Sequence, residues 1–271
     1  SQLMQMPFAL PPPSLVAIGL WEHFDRFWLH SGATLREMLG GLGIAILIAF
    51  PLSAMMVTWR KTDQWLASLL ITLQCIPMAA LAPLMVIWFG WTYTAVLIPI
   101  VLMLSFPLIL TFYAGLNAVP DSYIALFRGW GAAERLLLLR LRLPWALPQM
   151  AYGLRIAAGM AGMGAVVAEW AGAQQGLGVL MLESRRAADI VTLFGAIVCL
   201  TILTLVLTHA LACFQRLAAA QRPLKVLWGS FYYRGQLALC AGIAALLAAV
   251  SLHTLPTDAP KNDRELRLVL D

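Results

Sequence analysis

Long runs of apolar residues, each close to the length that crosses a bilayer, constrain this chain more than any other feature. A helix needs about 20 apolar residues to span the hydrocarbon core. Of the 271 residues, 61% are hydrophobic and only 11% are charged, too few charges for the surface of a soluble domain. We therefore predict an all-α polytopic membrane protein. The predicted spans are 39–58, 65–89, 93–115, 149–168, 190–213 and the shorter 236–252.

Prolines inside two of these spans predict bends. Segments 65–89 and 93–115 each contain two prolines. Proline lacks a backbone N–H and its ring clashes with the preceding helical turn, so a helix kinks or breaks there. The prolines concerned are Pro77, Pro83, Pro99 and Pro107.

The distribution of basic residues predicts the orientation of the spans. Loops 59–64, 116–148 and 214–235 carry ten Lys or Arg residues, against seven in the segments on the opposite side. Because cytoplasmic loops are enriched in Lys and Arg, we place the first group in the cytoplasm. The segments that then face outside are 1–38, 169–189 and 253–271.

The N-terminal segment 1–38 is predicted to lie outside the membrane core. Within it, residues 14–30 combine apolar residues at helical spacing with Glu22, Asp25 and Arg26. This stretch is too short and too charged to span, so we expect an amphipathic helix lying at the outer interface.

Segment 120–148 is a basic, amphipathic insert between two apolar spans. Gly131 is followed, after nine residues, by Leu141, Arg142, Leu143 and Pro144. Glycine suits a tight turn between helices, and proline marks a helix boundary. We expect a docking surface for a cytoplasmic partner, whereas the alternative is a loop that only fixes topology. The leucines should form the apolar faces, and the water-facing residues should be Arg128, Arg135, Arg140 and Arg142.

This spacing resembles the signature loop of binding-protein-dependent ABC importer permeases. In that family the loop folds as short coupling helices that lie in a cleft of the ATPase subunit. The family usually has Glu-Ala-Ala six residues before the glycine, where this chain has Ala125-Leu126-Phe127 and so lacks the glutamate. The resemblance implies that the ATPase-coupling residues are Arg128, Gly131, Ala132, Glu134, Arg135, Leu141, Leu143 and Pro144.

The resemblance extends over about residues 7–215. Three further segments resemble the sulfonate, taurine, nitrate and pyrimidine permeases. Segment 7–24 is similar to their outer segment, 82–92 to the end of a core helix, and 154–182 to the helix after the loop. That family normally begins with another spanning helix, which would precede residue 1. The resemblance implies a permease core of about five spans over 39–215.

The C-terminal part of the chain carries a second resemblance. Residues 264–271, RELRLVLD, are similar to the opening strand of periplasmic proteins that bind pyrimidine precursors of thiamine. We therefore expect 216–235 to be a cytoplasmic linker and 236–252 an extra transmembrane anchor. The tail 253–271 should lie outside, as a possible start of a fused binding domain.

Several residues in or near the spans are candidates for a pathway or gate. Glu169 ends an apolar helix, where ionisable groups are costly and often functional, although an interfacial glutamate in water is equally open. Small residues recur in the fourth span, which indicates either a dimer interface, a pathway or packing within one subunit. The pathway or gate candidates are Gln74, Trp88, Met163, Glu169 and Gln174.

We expect a permease subunit of an ATP-driven importer in the bacterial cytoplasmic membrane, working as a homodimer with two ATPase subunits. The substrate suggested by the tail is a thiamine-precursor pyrimidine, and the permease body is compatible with alkyl sulfonate, taurine or nitrate. A non-transport alternative is a membrane anchor or scaffold for an outer binding domain. The nearly charge-free spans argue against an ion-coupled transporter.

The chain is not expected to be an enzyme. It has no Walker motif, so ATP and magnesium should be bound by the partner ATPase, and no cofactor by this chain. The histidines and cysteines lack metal-ligand spacing, so no metal site is expected. The other expected partners are a substrate-binding protein, possibly fused at the C-terminus, and the lipid bilayer, with no nucleic acid.

Overall fold

The computed structural model describes residues 11–220, and all regular structure in that range is helical. This confirms the all-α prediction. The first five helices are α1 (Pro13–Glu22), α2 (Phe24–Thr58), α3 (Arg60–Gln74), α4 (Met78–Phe89) and α5 (Tyr93–Asn117). The remaining ones are α6 (Asp121–Gly129), α7 (Glu134–Leu137), α8 (Leu143–Gly172), α9 (Leu177–Arg186) and α10 (Ile190–Ala220), with a π-helical turn at Leu138–Arg142 before α8.

Within the described residues, four helical stretches are long and apolar enough to cross a membrane. A fifth span is formed if the bent pair α3 and α4 counts as one. The predicted core of about five spans is therefore confirmed. The predicted anchor 236–252 and tail 253–271 lie outside the described residues, as does the linker beyond residue 220. The four stretches are Phe24–Thr58, Tyr93–Asn117, Glu134–Gly172 and Ile190–Cys213.

The first span begins much earlier than the predicted boundary at residue 39. Helix α1 ends at Glu22, and α2 then runs unbroken for 35 residues. Its length of about 50 Å exceeds the hydrocarbon core of about 30 Å. The charged start of α2 is held against the protein, because Arg26 Nη2 contacts Glu183 Oε2 of α9 at 3.0 Å. Residues 14–30 are therefore divided between α1 and the start of α2, and the prediction of one continuous helix there is wrong.

The prolines act differently at different positions. Helices α3 and α4 meet at 89°, and Pro77 is the residue immediately before α4, so the predicted break is present there. Pro83 lies inside α4, and Pro99 and Pro107 lie inside the unbroken α5.

Helix α5 is the centre of the core. Its Leu104, Leu108 and Phe112 are buried in one cluster with small residues of α8, including Ala157 and Ala161. Helix packing inside a membrane depends on close van der Waals contact, which small residues permit. A Cβ added at Gly162 of α8 would overlap the Thr204 side chain of α10. Gly162 and the buried alanines of α8 therefore serve packing within one subunit.

The two ends of the helical core carry different features. Helices α5 and α8 are joined by segment 120–148, so we call that the loop end. The opposite end, where α5 begins and α8 finishes, we call the cavity end. There Asp189 accepts a hydrogen bond from the Thr192 N–H at 3.0 Å at the start of α10. Hydrogen bonds from the Thr192 side chain and backbone hold the pKa of Asp189 below its ordinary value.

Candidate functional site

The loop end is a helical hairpin. Helix α6 starts directly after Pro120, and the chain then turns sharply before α7. Gly131 has a φ of 75°, a conformation that glycine adopts without strain. Its N–H donates to the Arg128 carbonyl at 2.9 Å, and the Ala132 N–H donates to the Phe127 carbonyl at 3.1 Å. The tight turn predicted at Gly131 is therefore present.

An ion pair bridges this turn. Arg128 Nη2 lies 2.8 Å from Glu134 Oε1, and Arg128 Nε donates to the same oxygen at 3.0 Å. Both side chains are about half exposed, so the pair contributes less than about 1 kcal/mol to stability. The pair links the last turn of α6 to the first residue of α7.

The hairpin rests on a small apolar cluster of its own. Val119, Ile124 and Leu137 are buried together, and Phe127, Leu141 and Trp145 pack against them. Trp145 belongs to the first turn of α8, so the cluster joins the hairpin to a membrane-spanning helix. A displacement of the hairpin must therefore move the start of α8.

Arg142 fixes the hairpin to α5 as well. Its side chain is buried, and Nη1 donates to the Leu116 carbonyl at 3.0 Å. A cation is favourable there because the last carbonyls of a helix carry partial negative charge. The prediction that Arg142 faces water is wrong, since its partner lies in the last turn of α5.

The outer surface of the hairpin carries a group of exposed apolar side chains. Trp130 is 72% exposed, and Tyr123, Leu126, Leu136 and Leu139 are about half exposed. Clustered exposed apolar side chains are typical of a binding site for a partner. Sequence reasoning missed Tyr123, Leu126 and Trp130, although their spacing of three and four residues is a helical stripe.

The predicted coupling residues divide between this surface and its support. Ala132, Leu141 and Leu143 are half-buried, and Leu141 packs beneath the hairpin. The exposed members are Arg128, Gly131, Glu134, Arg135 and Pro144.

At the cavity end, Glu169 of α8 is the centre of a polar network. The side chain is only 2% exposed. Thr34 Oγ1 donates to Oε1 at 2.7 Å, while the N–H groups of Gly178 and Val179 donate to Oε2. The Glu169 oxygens supply acceptors for the first N–H groups of α9, which have no acceptor within their own helix. The alternative of a glutamate in interfacial water is excluded.

Helix α2 supplies the other members of the network. Thr34 Oγ1 accepts the Leu177 N–H at 2.8 Å. His30 Nδ1 lies 3.1 Å from the nitrogen and 2.8 Å from the oxygen of Gly176, so the tautomer decides whether it accepts or donates. His30, Thr34 and Glu37 were missed as a group, although spacings of four and three residues place them on one helix face.

Glu37 lies beside Glu169, and its carboxyl group interacts with that of Glu169. It is 5% exposed and lines a cavity of about 690 Å³ at this end of the core. The predicted candidate Gln174 also lines this cavity.

The remaining pathway candidates lie elsewhere. Met163 is exposed and lines a separate cavity of about 450 Å³ between α8 and α10. Trp88 is exposed near the end of α4. Gln74, which we expected to face protein or a cavity, is exposed at the break between α3 and α4. The five predicted pathway residues therefore do not form one site in this chain.

Comparison with known proteins agrees with this architecture. Residues 41–222 match the family described as binding-protein-dependent transport system inner membrane component. The formylaminopyrimidine transport permease protein ThiX of Halalkalibacterium halodurans is 34% identical over 204 residues, 75% of this chain and 82% of that protein. The taurine transport system permease protein TauC of Escherichia coli is 30% identical over 219 residues, 78% of this chain and 79% of that protein.

Among solved structures, the MetNI methionine ABC transporter in an inward facing conformation matches with a TM-score of 0.62. The identity is 18%, and the match covers 75% of this chain and 96% of that chain, so the likeness concerns the fold. The family match over residues 41–222 and this likeness of fold agree with the helical core and the hairpin described above. The chain belongs to the binding-protein-dependent transport system inner membrane components, and it is a permease subunit of an ABC importer.

Proposed function

We propose that this permease imports a pyrimidine precursor of thiamine, as a homodimer with two ATPase subunits docked on its hairpins. The loop end faces the cytoplasm, and the cavity end faces outside. The observation that carries the proposal is the row of exposed apolar side chains on a hairpin that is fixed to α5 and α8. Such a surface has no role in a loop that serves topology alone.

The contacts beneath the hairpin supply a mechanism for coupling. A movement of the ATPase would shift α6 and α7 as one body, since the ion pair and the tight turn hold them together. The buried cluster would pass that shift to α8, and Arg142 would pass it to α5. Both helices reach the cavity end, so a rigid-body displacement at one end alters the other. ATP and magnesium are bound by the partner.

The substrate assignment is supported by the relative named for formylaminopyrimidine and by the resemblance of residues 264–271 to pyrimidine-binding proteins. A binding protein, separate or fused at the C-terminus, would deliver the solute to the cavity end. The second candidate is import of taurine or an alkyl sulfonate, which the relative named for taurine favours.

Co-purification of the ATPase tests the docking surface. The double variant Leu126→Asp with Trp130→Asp places charges on the exposed face at two residues that are not members of the buried cluster. Central aromatic residues of an interface each contribute about 2 kcal/mol or more, so ATPase recovery should fall at least about tenfold. Trp21→Asp, at an equally exposed tryptophan in α1, is the matched control and should retain the ATPase. Recovery of the ATPase at the control level with the double variant would contradict docking here.

Competitive uptake decides the substrate. Cells that express the full chain with its ATPase and its binding protein should accumulate labelled formylaminopyrimidine, and excess taurine should not compete. Accumulation of labelled taurine, with no accumulation of labelled formylaminopyrimidine, would replace the first candidate with the second.

A further inference from the structure

Two glutamates from different helices meet at the cavity end, in surroundings that exclude water. Glu37 of α2 is 5% exposed, and Glu169 of α8 is 2% exposed. Their carboxyl groups are hydrogen-bonded to each other. Ionisable groups within membrane spans are costly and commonly pair with one another. Two ionised carboxylates in contact would repel, and neither could supply the hydrogen of that bond, so one of the two carries a proton.

The hydrogen bonds around Glu169 identify it as the ionised member of the pair. Thr34 Oγ1 donates to Oε1 at 2.7 Å, and the N–H groups of Gly178 and Val179 donate to Oε2. Thr34 Oγ1 also accepts the Leu177 N–H at 2.8 Å, so its own hydrogen is directed to Glu169. A carboxylate has about four acceptor positions, and these three donors leave one of them for Glu37.

The surroundings of Glu37 fit the protonated member of the pair. No N–H or O–H group of the described residues donates to its buried Oε2 atom. A carboxylate there would be left unsatisfied, whereas a protonated carboxyl group is itself a donor, and Glu169 offers it an acceptor. Arg36 on the same helix and Tyr93 at the start of α5 are the other titratable groups that act on Glu37, and neither donates to Oε2. His30 contacts the far side of the network, at Gly176.

We propose that Glu37 and Glu169 form a binding site for one proton, which clamps α2 to α8 and α9 at the cavity end. The Glu37 O–H donates to Glu169, and the pair carries a single negative charge. The N–H groups at the start of α9 stabilise that charge. Release of the proton to water leaves two negative charges in contact, so the clamp opens as the pH rises. The proton site is independent of the ATPase docking surface and of the identity of the solute.

The bound proton gives the stability of the folded chain a defined pH dependence. An unfolded chain exposes Glu37 to water, where a glutamate is ionised at neutral pH. The folded chain therefore holds one proton more than the unfolded chain, and raising the pH favours unfolding. One such proton raises the equilibrium constant for unfolding about tenfold for each pH unit. The stabilisation is greatest in acid, and it is lost as the pH approaches the value at which the folded pair gives up its proton.

The test compares unfolding of the full chain and of its Glu37→Gln variant in detergent between about pH 6 and pH 8, where an exposed glutamate is ionised and tyrosine is neutral. Glutamine keeps a donor for Glu169 but binds no proton. The equilibrium constant for unfolding should rise more steeply in the wild type than in the variant, by about tenfold for each pH unit. His30 is present in both proteins, so its titration cancels in the comparison. Glu22→Gln, at an exposed position of α1, is the matched control and should keep the wild-type pH dependence.

Infrared spectroscopy of the folded wild type provides a second measurement, which does not require the variant to fold. At about pH 8, where exposed carboxyl groups are ionised, the wild type should show the C=O stretching band of a protonated carboxyl group. The band should disappear in Glu37→Gln and remain in Glu22→Gln. Equal pH dependence of unfolding in the wild type and Glu37→Gln would overturn the proposal. Absence of the band from the folded wild type would overturn it as well, even if Glu37→Gln fails to fold.

Discussion

Replacement of Gly131 by alanine is the sharpest perturbation of the hairpin. With a φ of 75°, this residue occupies the left-handed region, which costs an L-residue about 1–2 kcal/mol. A Cβ added there meets nothing within 4 Å, so backbone strain is the whole effect. A free-energy cost of that size lowers the ratio of closed to open hairpin by about 5–30-fold.

Gly129 provides a control two residues away. It ends α6, and an added Cβ there also meets nothing within 4 Å. Alanine is favoured over glycine in a helix by about 0.5–1 kcal/mol, so Gly129→Ala should be neutral or stabilising. Gly131→Asn should fall between the two, because asparagine tolerates the left-handed conformation better than alanine.

Hydrogen exchange of the hairpin amides measures the effect. The Ala132 N–H, which is bonded to the Phe127 carbonyl, should exchange about 5–30 times faster in Gly131→Ala and no faster in Gly129→Ala. ATPase recovery should fall in the same order. Equal exchange rates in the two alanine variants would refute the assignment of this turn to Gly131.

Two substitutions test the packing at the cavity end. Glu169→Ala leaves the Thr34 hydroxyl and two N–H groups of α9 without an acceptor, so it should destabilise the protein by roughly 3 kcal/mol and more than Glu169→Gln. Thermal unfolding in detergent measures this, and equal midpoints for the two variants would contradict the network. Gly172→Ala would drive a Cβ into Val86 of α4 and should cost about 1–3 kcal/mol. Gly159→Ala should not destabilise the protein, because the atom nearest to the added Cβ would lie 4.0 Å away. Equal unfolding midpoints for Gly172→Ala and Gly159→Ala would contradict the close approach of α4 and α8.

The local features of the fold could be predicted from the sequence. Apolar length identified the spans in the described range, and proline identified the break at Pro77. The start of the first span could not be predicted, because the charged residues near residue 25 suggested a separate interfacial helix. These charges are stabilised by contacts such as that of Arg26 with Glu183, which is 157 residues away in the chain.

At the two sites as well, features set by the local sequence could be predicted, whereas contacts between distant parts of the chain could not. The Gly131 turn follows from local conformational preference and was predicted. Arg142 was misassigned, because its partner carbonyl is 26 residues away on another helix. Glu169 was recognised as unusual, yet its hydroxyl partner Thr34 is 135 residues distant. Helical spacing could have revealed that residues 123, 126 and 130 share one helix face, and that residues 30, 34 and 37 share another. It could not have revealed what each face contacts.

The central claim is that segment 120–148 is the ATPase docking element. A cryo-electron microscopy reconstruction of the full chain with its co-purified ATPase tests it most directly. We predict that Leu126 and Trp130 lie in a cleft of the ATPase, which contacts α6 and α7 along their exposed apolar face. An ATPase bound elsewhere, with that face exposed to solvent, would contradict it.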